Sequence, residues 1–285
     1  MIRLVLSDMD GTLVPFGQGC VSPRAVAAIH ALLDAGVLFG PATGRDWVEL
    51  LRFFQGDERC FSTGILSNGK RVLAEGRAVR TVLLDRGALV RIDEALRGER
   101  GAFLVCYPCD SDPTNPAFCV RATREGAAPF ERRCSFTGVC VDAVPDDVDI
   151  IAATIACPGD AARMGRCRAL VSEAVPEVRL VSPFDEWFDV LPAGVNKADG
   201  LEVLLDALGV GREEVVFFGD AENDLAIMRA VPHSVAVANA TDEVLRVARH
   251  RVGASADEGV ARALEEIVRA TGAGELPGFL REETR

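Results

Sequence analysis

The stretch Ile2-Arg3-Leu4-Val5-Leu6-Ser7-Asp8-Met9-Asp10-Gly11-Thr12-Leu13 runs an apolar segment straight into two carboxylates spaced two residues apart. Residues 2–6 read as a buried strand, and Gly11 as the turn that ends it. Two acids released from one strand end into one loop repel each other unless a proton or a cation lies between them. A hard cation such as Mg²⁺ takes oxygen ligands and keeps several waters, so it suits such a place. The competing reading is an Asx-turn loop whose acids only cap backbone groups.

Working outward, Glu214-Val215-Val216-Phe217-Phe218-Gly219-Asp220-Ala221-Glu222-Asn223-Asp224 is a second apolar strand that ends in Gly and a cluster of acids. Between the two lie Gly40-Pro41-Ala42-Thr43-Gly44-Arg45, after the apolar Val37-Leu38-Phe39, and the lone lysine of Gly194-Val195-Asn196-Lys197-Ala198-Asp199-Gly200. Helix capping by Asp220 and Asn223 accounts for one or two of the polar residues after the second strand, but not for three. Taken in order (acid pair, hydroxyl, lysine, acid cluster) the four segments resemble the motifs of the haloacid dehalogenase superfamily of phosphohydrolases. The wording of Ala42-Thr43-Gly44-Arg45, Ser67-Asn68-Gly69 and Gly219-Asp220-Ala221-Glu222-Asn223-Asp224 is most similar to the Cof-type sugar-phosphatase branch. The resemblance extends from Ile2 to about Val268.

At 285 residues the chain has length for about two domains. Its apolar content of 49% with 26% charged residues is ordinary for a globular protein. A net charge of −12 argues against nucleic acid or an anionic membrane as partner, since both need a basic face. It also means that a phosphorylated substrate must be met locally by metal, lysine and backbone N–H groups. No apolar stretch approaches the roughly 20 residues of a membrane span. With acids starting at Asp8, nothing at the N-terminus reads as a removable signal, and the expected location is the cytoplasm.

The pattern of elements bears on organisation. Ser22-Pro23 opens a helix to residue 34 with Gly36 as its stop, and strands at 37–41 and 61–66 flank a helix at 46–55. This alternation predicts a parallel sheet wrapped by helices. After Asn68-Gly69 a hairpin turns at Glu75-Gly76. A helix at 87–97, a strand at 102–107, a loop-rich region to 145, a strand at 148–156, a helix at 160–175 and strands at 178–181 and 187–191 follow. Residues 84–188 therefore read as an inserted α+β domain. Helices from Lys197, after Asp224, at 242–249 and at 258–270, with strands at 215–218 and 234–237, complete the first. The expected fold is α/β: a Rossmann-like parallel-sheet core of residues 1–83 and 189–270, an inserted cap and a tail of residues 271–285. The resemblance implies the same cap, closing over the site and setting substrate specificity.

Other features are readily misread. Gly64-Ile65-Leu66-Ser67-Asn68-Gly69-Lys70-Arg71 has the spacing of a phosphate-binding P-loop, but Arg71 stands where Ser or Thr is required, and a strand follows where a helix is needed. Lys70 departs from the small residue expected after Asn68-Gly69, so the branch's specificity is not assumed. Cys106-Tyr107-Pro108-Cys109 lacks a second pair for a structural zinc, and the nine cysteines are expected to be free, reduced thiols. His30, His233 and His250 neighbour no motif and read as structural or exposed.

The resemblance implies a role for each motif residue. Asp8 is the nucleophile that forms an aspartyl-phosphate, replacing one hard displacement by two easier ones. Asp10 protonates the leaving alcohol and then activates water. Thr43, Gly44 and Lys197 meet the charge of the transferring phosphoryl, and Thr43 and Lys197 count with Asp8 and Asp10 as catalytic. Asn68 and Asn223 contact substrate. Asp8, Asp10 and Asp220 hold Mg²⁺, and Asp224 binds it directly or through water. The implied activity is a Mg²⁺-dependent phosphatase of small phosphorylated metabolites, with sugar phosphates as the expected substrates. The alternatives are a phosphomutase or phosphotransferase, in which a second hydroxyl replaces water, and a non-catalytic phospholigand-binding regulator.

Overall fold

The computed structural model describes residues 1–110, 117–134, 136, 138–184 and 186–281. The chain folds into two compact units, Met1–Arg80 with Asn196–Arg285, and Thr81–Val195.

The first unit opens with β1 (Leu4–Ser7), every residue of it buried. Ser22 caps α1 (Pro23–Asp34), its hydroxyl accepting from the Ala25 N–H at 3.1 Å, and Pro23 occupies the first turn where its missing N–H costs nothing. β2 (Leu38–Pro41) follows, then α2 (Trp47–Phe53), which is shorter at both ends than its pattern suggests. β3 (Gly64–Leu66), β4 (Arg71–Ala74) and β5 (Arg77–Thr81) form a small sheet whose last two strands turn at Glu75-Gly76. Ser67–Gly69 is a single tight turn leading into β4, so the helix that a P-loop needs is absent.

The second unit holds α3 (Arg86–Ala95), β6 (Phe103–Pro108), β7 (Ala117–Val120), α4 (Arg124–Cys134), β8 (Gly138–Val141), β9 (Ile150–Ala156), α5 (Ala161–Ala174), β10 (Val178–Phe184) and β11 (Trp187–Pro192). Its sheet runs in the order β10-β11-β9-β6-β7-β8, antiparallel except for the β7–β8 pair. Side chains of β6 alternate between two cores. Leu104 and Cys106 join Leu89 and Ile92 of α3 with Cys167 and Val171 of α5, while Phe103 and Val105 join Ala127 and Phe130 of α4. The loop-rich reading of the stretch to residue 145 is thus corrected by β7, α4 and β8. The loop expected after Cys109, residues 111–116, lies outside the described residues.

The chain then returns to the first unit with α6 (Lys197–Leu208), β12 (Val215–Gly219), α7 (Leu225–Ala230), β13 (His233–Val237), α8 (Asp242–Val247), β14 (His250–Val252) and α9 (Gly259–Ala273). The helix expected to reach residue 249 stops at Val247, and the next residues form β14, which the pattern did not reveal. The main sheet is wholly parallel, in the order β14-β13-β12-β1-β2. The strand order reverses around β1, since β2 lies on one side of it and β12 on the other, which makes its carboxyl end a topological switch point. Past α9, Leu280 is buried in the core of this unit and Phe279 lies 6.2 Å from Phe218 between ring centres. Among the described residues no helix is long and apolar enough to cross a membrane.

Candidate active site

Parallel pairing carries the polar groups of several strands to one edge. Ser7 lies opposite both Phe218 and Pro41, and the Asp8 N–H donates to the Phe218 carbonyl at 2.8 Å. Asp8 therefore leaves β1 beside the end of β12, where Gly219 hands over to Asp220. Gly11 turns the loop with φ of 83°, a region that only glycine enters freely. A Cβ there would sit 2.4 Å from the Phe16 ring and 2.6 Å from Asp220 Oδ2, so the glycine also lets the acid loop close. The ring of Phe16, 56% exposed, flanks this acid.

Lys197 enters from α6. Asn196 caps that helix, its side-chain oxygen accepting from the Ala198 N–H at 2.8 Å, which aims the first helical side chain inward. The ammonium is fully buried and donates to Asp8 Oδ1 at 2.7 Å and to Asp224 Oδ1 at 2.6 Å. Asp224 Oδ2 accepts from the Asp220 and Ala221 N–H groups at 2.9 and 3.1 Å, which binds the post-β12 turn to the lysine. Asp220 Oδ1 accepts from Thr12 Oγ1 at 2.6 Å. One carboxylate oxygen each from Asp8, Asp220 and Asp224 lies within 4.8 Å of the others.

Three buried carboxylates share one buried ammonium, and the titration of the group reflects that. Burial, reinforced by the charges of Asp224 and Asp220, raises the Asp8 carboxyl well above its usual 3.8 against the pull of Lys197. Burial and the charge of Asp224 push Asp220 up to about 7. Burial alone would lower the Lys197 ammonium, but the charges of Asp224 and Asp8 outweigh it and the net shift is upward. An all-oxygen donor set carrying surplus negative charge fits a hard divalent cation such as Mg²⁺.

The other expected residues gather around this cluster in two groups. Thr43, 1% exposed, accepts from the Arg45 N–H through Oγ1 at 3.2 Å, and its carbonyl accepts from the Asn68 N–H at 2.9 Å. Gly44 lies between these two, in the loop that leaves β2. Asn223 donates to the Asn68 side-chain oxygen at 3.1 Å, joining the post-β12 turn to the turn after β3. Ser67 and Asn68 both have positive φ, 50° and 55°, a conformation that costs non-glycine residues of order 1 kcal/mol each and clusters at ligand sites. Gly69 packs so closely on the Asn196 carbonyl that a Cβ would lie 2.1 Å from it.

Asp10 stands apart from the buried trio. Arg45 grips it with a bidentate fork, Nε to Oδ2 at 2.6 Å and Nη2 to Oδ1 at 2.7 Å, while Nη1 reaches Glu49 at 2.7 Å. The guanidinium lies 4.4 Å from the Phe53 ring centre. The sequence pattern alone assigns Arg45 no task, although its place directly after Thr43-Gly44 is a signal for one. Thr12 was missed although it lies in the opening stretch. Asn239 was missed too: its amide donates to the Gly11 carbonyl at 2.7 Å and its oxygen accepts from the Ser255 N–H at 2.8 Å. Nothing in Val237-Ala238-Asn239-Ala240 announces that role.

The chain is similar to known proteins over most of its length. The haloacid dehalogenase-like hydrolase family matches residues 5–264. A 5-amino-6-(5-phospho-D-ribitylamino)uracil phosphatase of Escherichia coli is 26% identical over 275 residues, covering 94% of this chain and 97% of its own. A solved structure of a hypothetical protein from Geobacillus kaustophilus is 26% identical with a TM-score of 0.75, covering 94% and 99% of the two chains. A subclass IIB sugar phosphatase of this superfamily shares the fold at 18% identity, with a TM-score of 0.74 over 92% of this chain and 98% of that one. With the motif residues converging at the switch point of a parallel sheet, the chain belongs to the haloacid dehalogenase-like hydrolases, among the Cof-type phosphatases.

Proposed function

We propose that the protein is a Mg²⁺-dependent phosphatase that hydrolyses small phosphorylated metabolites, sugar or sugar-alcohol phosphates, through an aspartyl-phosphate on Asp8. The observation that carries this reading is Lys197, wholly buried and bonded at once to Asp8 and Asp224. A buried ammonium bonded to two carboxylates orients a nucleophile and supplies a cation beside the place where a phosphoryl group would sit. The names of the ribityl-phosphate and sugar phosphatases among the similar proteins support the substrate class.

In the first step an oxygen of Asp8 bonds to phosphorus, the ester P–O bond breaks, and the leaving alcohol takes a proton from Asp10. In the second, Asp10 takes a proton from water, the water oxygen bonds to phosphorus, the acyl-phosphate bond breaks and orthophosphate leaves with Asp8 restored. Arg45 must release one oxygen of Asp10 for that carboxyl to carry a proton, and Glu49 is the partner that keeps the guanidinium in place meanwhile. Thr43, Gly44 and Lys197 hold the phosphoryl oxygens, and Asn68 with Asn223 orients the bound ester. Asp8, Asp220 and Asp224 would hold Mg²⁺, whose charge would offset that of the phosphoryl group. Asp10, with its side chain given to Arg45, is left for proton transfer.

Choice among leaving groups is assigned to residues 84–188. Substitutions confined to that segment should reorder substrates while leaving turnover of acetyl phosphate unchanged. The reading is tested with purified protein and a panel of phosphometabolites, including hexose phosphates and 5-amino-6-(5-phospho-D-ribitylamino)uracil, with Mg²⁺ and with EDTA. Release of orthophosphate that requires Mg²⁺ and ranks the sugar or ribityl phosphates first is expected. Full activity in EDTA, or no preference for these esters over acetyl phosphate, would sink it.

A further inference from the structure

Outside the acid cluster, the first unit brings together a second set of metal-binding donors of a different chemical kind. His30 lies on α1, while Asp57 and Cys60 lie in the loop that follows α2. The ligand atoms of the three side chains all fall within 4.8 Å of one another, and His30 Nε2 is 2.6 Å from Asp57 Oδ2. Imidazole, carboxylate and thiol together are a donor set that Mg²⁺ does not select and that borderline or soft cations do.

The loop is built to hold this arrangement. Gln55 and Gly56 take left-handed conformations, φ 53° and 85°, and Gly56 returns its N–H to the Leu51 carbonyl at 2.7 Å, which ends α2 and reverses the chain. Asp57 then starts a tight 3₁₀ turn, Glu58–Cys60, closed by the Cys60 N–H on the Asp57 carbonyl at 3.2 Å. Side chains three residues apart eclipse in such a turn, so Asp57 and Cys60 project to the same side, toward His30. The exposures differ in a useful way. His30 and Asp57 keep about a third of their side chains in solvent, 34% and 28%, whereas Cys60 is fully buried at the base. A cation has an approach from water and a thiol beneath it.

We propose that His30 Nε2, an Asp57 carboxylate oxygen and Cys60 Sγ form a three-donor site for a thiophilic divalent cation such as Zn²⁺, completed by water. Tetrahedral Zn²⁺ binds imidazole and carboxylate at about 2.0–2.2 Å and thiolate at about 2.3 Å, with a fourth position open when the protein supplies three ligands. Binding breaks the Cys60 S–H bond and forms a metal–sulfur bond, and the proton leaves to solvent. His30 takes the tautomer with hydrogen on Nδ1, which frees the Nε2 lone pair. The short His30–Asp57 contact then widens as both atoms turn to the cation. In its absence burial and the charge of Asp57 push the Cys60 thiol up to about 12, so it is a poor nucleophile and an unpromising redox group. The site would clip α1, which follows the nucleophile loop, to the segment that follows the Thr43 loop.

The test uses the full-length protein in excess Mg²⁺, so that the acid cluster is occupied, and Co²⁺ as a spectroscopic stand-in for Zn²⁺. One equivalent of Co²⁺ should produce a sulfur-to-metal charge-transfer band in the near ultraviolet, and Zn²⁺ should displace it stoichiometrically. Cys60→Ser should abolish the band, and His30→Gln should weaken binding at least tenfold, while both keep Mg²⁺-dependent turnover. Zn²⁺ should raise the Tm of the wild type and leave that of His30→Gln where it was. Absence of the band in the wild type, or a band that survives His30→Gln at full affinity, overturns the proposal. The His30 variant, altering a partly exposed side chain, decides the matter even if Cys60→Ser fails to fold.

Discussion

The parallel sheet of the first unit buries Asp8, Asp220, Asp224 and Lys197 together, three acids to one cation. In the second unit the buried acids Asp93 and Glu131 each have an arginine of their own, Arg121 with Nε at 2.8 Å and Arg124 with Nη1 at 2.8 Å. Position in the fold accounts for the difference. Asp8 and Asp220 leave the neighbouring parallel strands β1 and β12 at one edge, so their loops converge, whereas Asp93 and Glu131 lie on separate helices, α3 and α4, each beside its own arginine. Burying a charge is tolerable when it is paired, and the second unit meets that condition site by site. The first leaves negative charge over, which is the condition for recruiting a cation, whose charge would in turn offset that of a phosphoryl group. The contrast fits the phosphoryl-transfer site proposed for the first unit, and the difference between the two units can be tested at several points.

The largest effect is expected at the nucleophile. Asp8→Asn should lower kcat by at least about 10⁴-fold, in the range seen when a covalent nucleophile is removed, with the protein still folded by circular dichroism. Wild-type turnover in that variant would end the covalent mechanism. Next comes Lys197→Ala, which strips the single cation from the buried trio. Removing one partner of a buried pair typically costs about 3–5 kcal/mol, so urea unfolding without Mg²⁺ should show a loss of that order, partly restored by Mg²⁺. An unchanged midpoint would mean that the cluster is not under electrostatic strain.

A sharper comparison sets Asp220→Asn against Asp93→Asn. In the first unit the neutral amide relieves surplus charge, so the Mg²⁺-free Tm should hold or rise while Mg²⁺ affinity falls by at least about tenfold, or about 1.4 kcal/mol. In the second unit the same change removes a paired charge and should lower the Tm by several degrees. Differential scanning calorimetry reads both, and the same sign in both variants would erase the distinction between the units.

The smallest effect is a pH dependence. Asp8 and Asp220 titrate above the usual carboxylate range in the folded protein, Asp220 at about 7. The folded state therefore binds protons that the unfolded state has released. Stability gained this way is complete below the unfolded value of 3.8 and is lost as pH rises through about 7. Without Mg²⁺ the Tm should fall by a few degrees between about pH 6 and 8, and added Mg²⁺ should raise it more at the higher pH. A Mg²⁺-induced rise that is greater at the lower pH would contradict the reading.

The amino-acid sequence by itself determined the parallel core and the residues that meet at its edge. A buried strand, the turn that ends it and a capped amphipathic helix are local events, written in four to twelve neighbouring residues, and that is why Asp8, Thr43, Lys197 and Asp220 were legible with their elements. Elements that depend on distant partners were not. β14 is three residues long, too short to show a period, and exists because β13 offers it a ladder. Among its described residues α4 buries Ala127, Phe130 and Glu131, and it carries Pro129 inside it, so its own residues read as loop until the sheet covers that face. The Arg45 fork on Asp10, the Asn239 strut on Gly11 and the meeting of His30 with Asp57 and Cys60 likewise join residues far apart in sequence. Only the tertiary structure decided these, because a side chain's partner is set by where the packed sheet and helices bring remote backbone segments, and no local pattern encodes that distance.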